Sequence, residues 1–162
     1  MIEVSENLYV GNEYDCFYET REEWVVIHAC KHPCHVRKVG YSGKLLQSHP
    51  EYLISEGKGH LFLNMVDMQQ PFSPVFTHPI MKRALEFIEQ NILLKKVLIH
   101  CNHGFSRSPS IALMYLAKKN KIQNKSLQDA YRDFIKLYPG YTPGNGIYLY
   151  MQNNWQEIMD LV

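Results

Sequence analysis

Val97-Leu98-Ile99-His100-Cys101-Asn102-His103-Gly104-Phe105-Ser106-Arg107-Ser108-Pro109-Ser110 is the stretch on which the reading of this chain turns. Val97–His100 is a brief apolar run and reads as a strand. A strongly apolar segment, Ser108–Lys119, follows with Ile111, Ala112, Met114, Tyr115 and Leu116 and reads as a helix. Between them lies a short polar loop. A loop that enters a helix points several unpaired backbone N–H groups into one concavity, and the helix dipole adds positive potential there. Such a nest holds a dianionic phosphate without any side chain. Gly104 permits the tight turn, and Pro109 suits the first turn of a helix, where no N–H is needed.

The side chains add chemistry to this nest. Cys101 lies at its bottom, where a helix N-terminus favours thiolate over thiol. A thiolate facing phosphorus is a nucleophile. Arg107, six positions on, lies across the loop, and its planar fork suits two phosphoryl oxygens at once.

Working outward, Asn7–Val10, Trp24–Cys30 and Leu61–Val66 join Val97–His100 as strands. Their apolar character is continuous rather than alternating, as in a parallel sheet buried on both faces. Helices are predicted from Thr77 to about Lys95, with Thr77 as N-cap and Pro79 in the first turn, and over Ser108–Lys119. Two more are predicted over Ser126–Tyr138 and from about Gly146 to Leu161. Ser126 with Asp129 three residues on has the pattern of a capping box. The segment from Lys31 to Gly59, rich in Gly and Pro, reads as loops around one short helix. Strands alternating with helices predict an α/β fold, a mostly parallel central sheet of about five strands with helices on both faces. At 162 residues the chain has the length of one domain, 1–162.

Composition excludes several classes of function. Seventeen basic and sixteen acidic side chains leave a net charge of +1, so no overall field draws nucleic acid or an anionic membrane. No apolar run is long enough to span a bilayer, and the N-terminus lacks the pattern of a secretory signal. A reducing cytoplasm is therefore expected, where Cys16, Cys30, Cys34 and Cys101 serve as thiols rather than as bridges.

His100-Cys101 with Arg107-Ser108 resembles the signature of the cysteine-dependent protein tyrosine phosphatase superfamily, and Cys-x-x-Gly-x-Ser-Arg-Ser resembles its dual-specificity branch. Leu8-Tyr9-Val10-Gly11-Asn12 resembles the opening strand of that family, Ser126–Tyr138 the helix after its signature helix, and Pro143-Gly144-Asn145-Gly146 the turn before its last helix. The resemblance implies a phosphorylated protein as substrate, hydrolysed through phosphocysteine with no metal and no organic cofactor. It makes Cys101 the nucleophile and Arg107 the phosphate ligand. Ser108 would stabilise the sulfur as it leaves, and His100 would brace the loop. Asn102, His103, Gly104, Phe105 and Ser106 would offer backbone N–H groups to the phosphate. The family takes its general acid from an aspartate on a loop before the cysteine. Asp67 is the only aspartate between Asp15 and Asp129, follows a predicted strand, and opens the polar stretch Asp67-Met68-Gln69-Gln70-Pro71-Phe72, which suits a mobile loop.

Two other readings stand beside this one. Cys-Asn-His-Gly-Phe-Ser-Arg also resembles the loop of cysteine-type RNA 5′-triphosphatases, although Ser-Arg-Ser-Pro departs from their continuation and the neutral charge argues against an RNA track. A non-catalytic phosphate-binding pseudophosphatase would lack Cys, Arg or Asp, and here all three are present. Preference for phosphotyrosine or phosphoserine depends on pocket depth, which rests on the loops Lys31–Gly59 and Gly140–Gly146.

His28, Cys30, His32, Cys34 and His35 form a dense cluster whose spacing fits no zinc pattern, and it is read as a satisfied strand end and loop. Cys30 or Cys34 could otherwise trap an oxidised Cys101 as a disulfide. Lys118, Lys119, Lys121 and Lys125 are read as cations favoured at a helix C-terminus.

Overall fold

A computed structural model describes residues 1–161; Val162, the last residue of the predicted domain, lies outside the described residues. Six strands form one sheet: β1 (Ile2–Ser5), β2 (Leu8–Gly11), β3 (Trp24–His28), β4 (Ile54–Gly57), β5 (His60–Leu63) and β6 (Lys96–His100). Their spatial order is β1-β2-β6-β3-β5-β4. The four central strands run parallel, with Val25 opposite Val97 and His28 opposite His100. The two edge strands are antiparallel to their neighbours. Helices are α1 (Val36–Val39), α2 (Pro74–Asn91), α3 (Arg107–Lys118), α4 (Leu127–Leu137), α5 (Asn145–Asn153) and α6 (Trp155–Asp160).

The predicted α/β class and mostly parallel sheet are present, with an additional strand at each edge. Both edge strands arise from short hairpins. At the β4–β5 turn Lys58 and Gly59 both take positive φ, 53° and 82°, as a two-residue turn matching strand twist requires. Polar Ser55 and Glu56 gave β4 no apolar signature, because an edge strand need bury little.

The two faces of the sheet are covered unequally. On one, α2 and α3 pack on the strands, α4 and α6 pack on α3, and α5 packs on α6. Val25, Ile27, Leu61, Leu63, Val97 and Ile99 point into this core, each fully or almost fully buried. Burying one such side chain stabilises the fold by about 1.5–3 kcal/mol. Alternate residues of the same strands face the other way. There Val26 and Leu98 pack with Phe17, and Phe62 packs with Cys30 and Cys34, beneath the segments around Glu13–Asp15 and Lys31–Val39.

The helices depart from expectation at two places. Helix α2 begins at Pro74 after Ser73, so Thr77 is a buried helical residue rather than a cap and Pro79 lies inside the helix. The last predicted helix is two, broken at Asn154, whose side chain donates to the Tyr150 carbonyl at 2.8 Å. A side chain that takes a helical carbonyl competes with the ladder at that point. Ser126 caps α4 as expected, its Oγ accepting from Asp129 N at 3.1 Å, but the Asp129 carboxylate accepts from the serine hydroxyl instead of completing the backbone box.

Candidate active site

The loop between β6 and α3 is held from outside by its carbonyls. Asn102 O accepts from Glu13 N at 3.1 Å, Gly104 O from the Tyr138 hydroxyl at 2.8 Å, and Phe105 O from Thr142 N at 2.9 Å. In a planar trans peptide the following N–H points opposite to the carbonyl. Anchoring these carbonyls on the scaffold therefore turns the N–H groups of His103, Phe105 and Ser106 the other way, into the nest. Gly104 sits at φ +76°, and a Cβ there would lie 3.1 Å from Gly11 O. The position excludes a side chain both by conformation and by space. The side chains of His103 and Phe105 are exposed at the rim and stack with centroids 6.4 Å apart.

Cys101 is buried at the floor of the loop, with Sγ 3.2 Å from Ser108 Oγ. Ser108 also donates to Gly11 O at 3.1 Å. One hydroxyl proton thus has two acceptors within reach. It can rest on the carbonyl while sulfur carries its own proton, and turn to sulfur when a thiolate needs it.

Arg107 is buried, and its guanidinium has three partners. Nε donates to Asp67 Oδ2 at 3.1 Å, Nη2 to Asn102 Oδ1 at 2.7 Å, and Nη1 to Met65 O at 2.9 Å. Asn102 in turn donates to His32 O at 2.9 Å. The Nε–Nη2 edge is the one that grips two oxygens side by side, and here a carboxylate and an amide oxygen occupy it.

Asp67 lies after β5, on the same edge of the sheet as Cys101, with its side chain 44% exposed. Its loop is docked rather than free. Gly146 N donates to Met68 O at 2.9 Å, and Phe72 N donates to Gly146 O at 3.1 Å. A Cβ at Gly146 would collide with Met68 O and come within 2.7 Å of Gln70 O. The turn Pro143–Gly146 therefore carries the Asp67 loop, and Gly144 N donates to Ser106 Oγ at 2.9 Å. All the predicted residues, Cys101 to Ser108 and Asp67, converge here. The expectation of a mobile Asp67 loop is met instead by one tied at two points, since backbone groups that pair across segments resist motion.

The His100 ring lies behind the loop, with Nδ1 3.4 Å from Cys101 O. Its Nε2 lies 2.7 Å from His28 Nδ1; His28 Nε2 lies 3.0 Å from His60 Nδ1, and His60 Nε2 lies 3.2 Å from Glu19 O. Burial pushes His28 down to about 4. Cys16 and Cys34 complete this group, with their sulfurs 3.9 Å apart. Hydrogen bonds from Cys16 and then Cys30 hold Cys34 below the usual thiol range, while Cys16 and Cys30 are pushed up, first by the bond to Cys34 and then by burial. The gathered set is not the run read in the sequence. His32 is exposed, and His35 bonds Tyr41 and Glu51 O instead. Cys16, His60 and His100 enter from other segments. Adjacent is a cavity of about 300 Å³ lined by Glu13, Tyr14, Pro33, Cys34, Cys101 and Asn102 among others.

The family model described as dual specificity phosphatase, catalytic domain, matches residues 44–142. The chain belongs to the dual specificity phosphatase family. It is 33% identical over 119 residues to the dual specificity protein phosphatase YVH1 of Plasmodium falciparum, covering 71% of this chain and 18% of that protein. It is 29% identical over 143 residues to the tyrosine-protein phosphatase vhp-1 of Caenorhabditis elegans, covering 86% and 19%. The chain thus spans about a fifth of the length of the curated relatives it matches. Among solved structures, human DUSP28 superposes with TM-score 0.64 at 15% identity, covering 100% of both chains, which places the fold. No helix among the described residues is long and apolar enough to cross a membrane.

Proposed function

We propose that this chain is, over residues 1–162, a single catalytic domain that hydrolyses phosphoproteins at phosphotyrosine, and at phosphoserine or phosphothreonine, through a phosphocysteine intermediate. The observation that carries the reading is the convergence of Cys101, Ser108, Arg107 and Asp67 on one loop at the N-terminus of α3.

In the first step Cys101, its proton lost to solvent, attacks as the thiolate in line with the leaving oxygen, forming the S–P bond as the P–O bond breaks. Backbone N–H groups of the loop and the Arg107 fork hold the equatorial oxygens, where charge spreads in the transition state. The dianion takes the Arg107 edge now held by Asp67 and Asn102. Asp67, released at the pocket mouth, takes up a proton from solvent and gives it to the leaving oxygen. In the second step Asp67 takes a proton from water, water attacks phosphorus, and sulfur leaves as thiolate with the Ser108 hydroxyl turned toward it. The chemistry uses only side chains and backbone of the chain. Its placement in the cytoplasm follows from the same reading.

The test is phosphate release from phosphotyrosine and phosphothreonine peptides by the reduced wild-type chain, with triphosphate-ended RNA alongside. Turnover of peptide with none of RNA is expected. Turnover of RNA alone would replace this substrate class, and tight peptide binding with no turnover would make the chain a phosphate-binding relative.

A further inference from the structure

The donor and acceptor roles along the histidine chain can be assigned from its two ends. His60 Nε2 faces the Glu19 carbonyl at 3.2 Å, an acceptor only, so this nitrogen carries the hydrogen. His60 Nδ1 is then an acceptor, and His28 Nε2, 3.0 Å away, must donate to it. In the neutral ring this leaves His28 Nδ1 with a bare lone pair. From the other end, His100 Nδ1 faces the Cys101 carbonyl at 3.4 Å and donates, which leaves His100 Nε2 bare. These two bare nitrogens face each other at 2.7 Å. Lone pairs at that distance repel unless something positive lies between or beside them.

Two sulfurs close the same space. Cys16 Sγ is 3.6 Å from His28 Nδ1, Cys34 Sγ is 4.0 Å from His100 Nε2, and the sulfurs are 3.9 Å apart. All four atoms lie within 4.8 Å of one another, and His28, Cys34 and His100 are buried. Tetrahedral zinc bonds sulfur at about 2.3 Å and imidazole nitrogen at about 2.0–2.1 Å, which sets S–S edges of about 3.8 Å, S–N of about 3.6 Å and N–N of about 3.3 Å. The S–S and Cys16–His28 edges match this tetrahedron, the Cys34–His100 edge is about 0.4 Å longer, and the two rings need to part by about 0.6 Å.

We propose that Cys16, His28, Cys34 and His100 bind a zinc ion through two sulfurs and two imidazole nitrogens, as a structural site behind the phosphate loop. The donor set of two thiolates and two imidazoles is that of zinc rather than of a hard cation. On binding, each thiol gives up its proton to solvent and the histidines stay neutral, so two thiolates balance the dication. Both ligand histidines already have the outer hydrogen bond that orients a zinc-bound ring: His28 to His60, itself held by Glu19 O, and His100 to Cys101 O. The Tyr18 hydroxyl, 3.1 Å from Cys34 Sγ, is placed to donate to that thiolate. Four protein ligands leave no open position, so the ion does not act on substrate. It ties the segment after β2, the end of β3, the turn Lys31–His35 and the end of β6 to one point. His100 directly precedes Cys101, so the floor of the loop inherits that rigidity.

The experiment is metal analysis of the full, tag-free chain purified without chelator, beside Cys101→Ser and the double variant Cys16→Ser with Cys34→Ser. Stoichiometric zinc is expected in wild type and in Cys101→Ser, with near-complete loss in the double variant. Because the double variant can fail to fold, zinc in the wild-type chain is also exchanged for cobalt(II), which should show the strong visible absorption of a tetrahedral thiolate site. The proposal is overturned if the folded, reduced wild type carries no metal and takes up neither zinc nor cobalt. It is equally overturned if Cys16 and Cys34 are isolated as a disulfide, or if Cys101→Ser removes the zinc, which would put the ion on the reactive thiol. None of these outcomes depends on phosphatase turnover.

Discussion

The Arg107 guanidinium donates from Nε to Asp67 Oδ2 at 3.1 Å, so the side chain proposed to grip phosphate is held by the side chain proposed to protonate the leaving group. The two roles are coupled, because a dianion on Arg107 has to displace Asp67. Asp67→Asn removes a competing charge as well as the acid. Turnover of a phosphotyrosine peptide should fall about 10²–10⁴-fold in kcat, while KM falls too. The loss should be smaller with an aryl phosphate whose leaving group needs no proton. Steady-state kinetics on both substrates checks this; a rise in KM with unchanged kcat would remove Asp67 from the chemistry.

The same competition predicts a binding effect. Inorganic phosphate should raise Tm in wild type and raise it further in Asp67→Asn. It should raise Tm least in Arg107→Ala, where only the backbone nest is left to bind it, since a ligand stabilises only what it binds, by about 2.7 kcal/mol at a hundredfold excess over Kd. Thermal melts across a phosphate series, at constant ionic strength, decide it.

Ser108 has one proton and two acceptors, Gly11 O at 3.1 Å and Cys101 Sγ at 3.2 Å. Its contribution should fall mainly on the second step, when sulfur must leave. Ser108→Ala is expected to lower kcat by about 10²-fold, the size of losing one positioned donor, and to let phosphoenzyme accumulate. Acid quench with labelled substrate should trap that species in Ser108→Ala and none in Cys101→Ser. A variant with slow turnover and no trapped phosphate would speak against phosphocysteine.

Gly146 is where the Asp67 loop rests on the start of α5. A Cβ there meets Met68 O and Gln70 O, which are backbone and cannot swing aside. Gly146→Ala should therefore destabilise by about 1–3 kcal/mol, a Tm fall of roughly 2–12 °C. It should also weaken activity by moving Asp67. Denaturant melts and kcat on a phosphopeptide measure the two effects. Unchanged stability would mean that the loop yields without cost.

Much of this was legible along the chain. The strand, loop and helix around Cys101 are consecutive, so their signals are local: an apolar run, a glycine at the turn, a proline in the first helical turn. The edge strand β4 was not legible, because Ile54-Ser55-Glu56-Gly57 pairs on one side only and buries little, which leaves its hairpin turn at Lys58-Gly59 as the sole cue. Nor was the start of α2, where the Ser73-Pro74 boundary and Thr77-His78-Pro79 carry similar local signals and burial of Thr77 decides between them.

What the sequence alone determined is the chemistry available at one loop: a thiol, a guanidinium and a hydroxyl at fixed spacing around a helix N-terminus. Tertiary structure decided what those groups face. Asp67 meets Arg107 because β5 and β6 end at the same edge of the sheet. Cys16 meets His28, Cys34 and His100 because parallel register sets His28 beside His100 and the segment after β2 folds over that face. The physical reason is separation along the chain. Local spacing constrains a turn or a helix, but ligands from four segments come together only once the sheet has closed the loops between them.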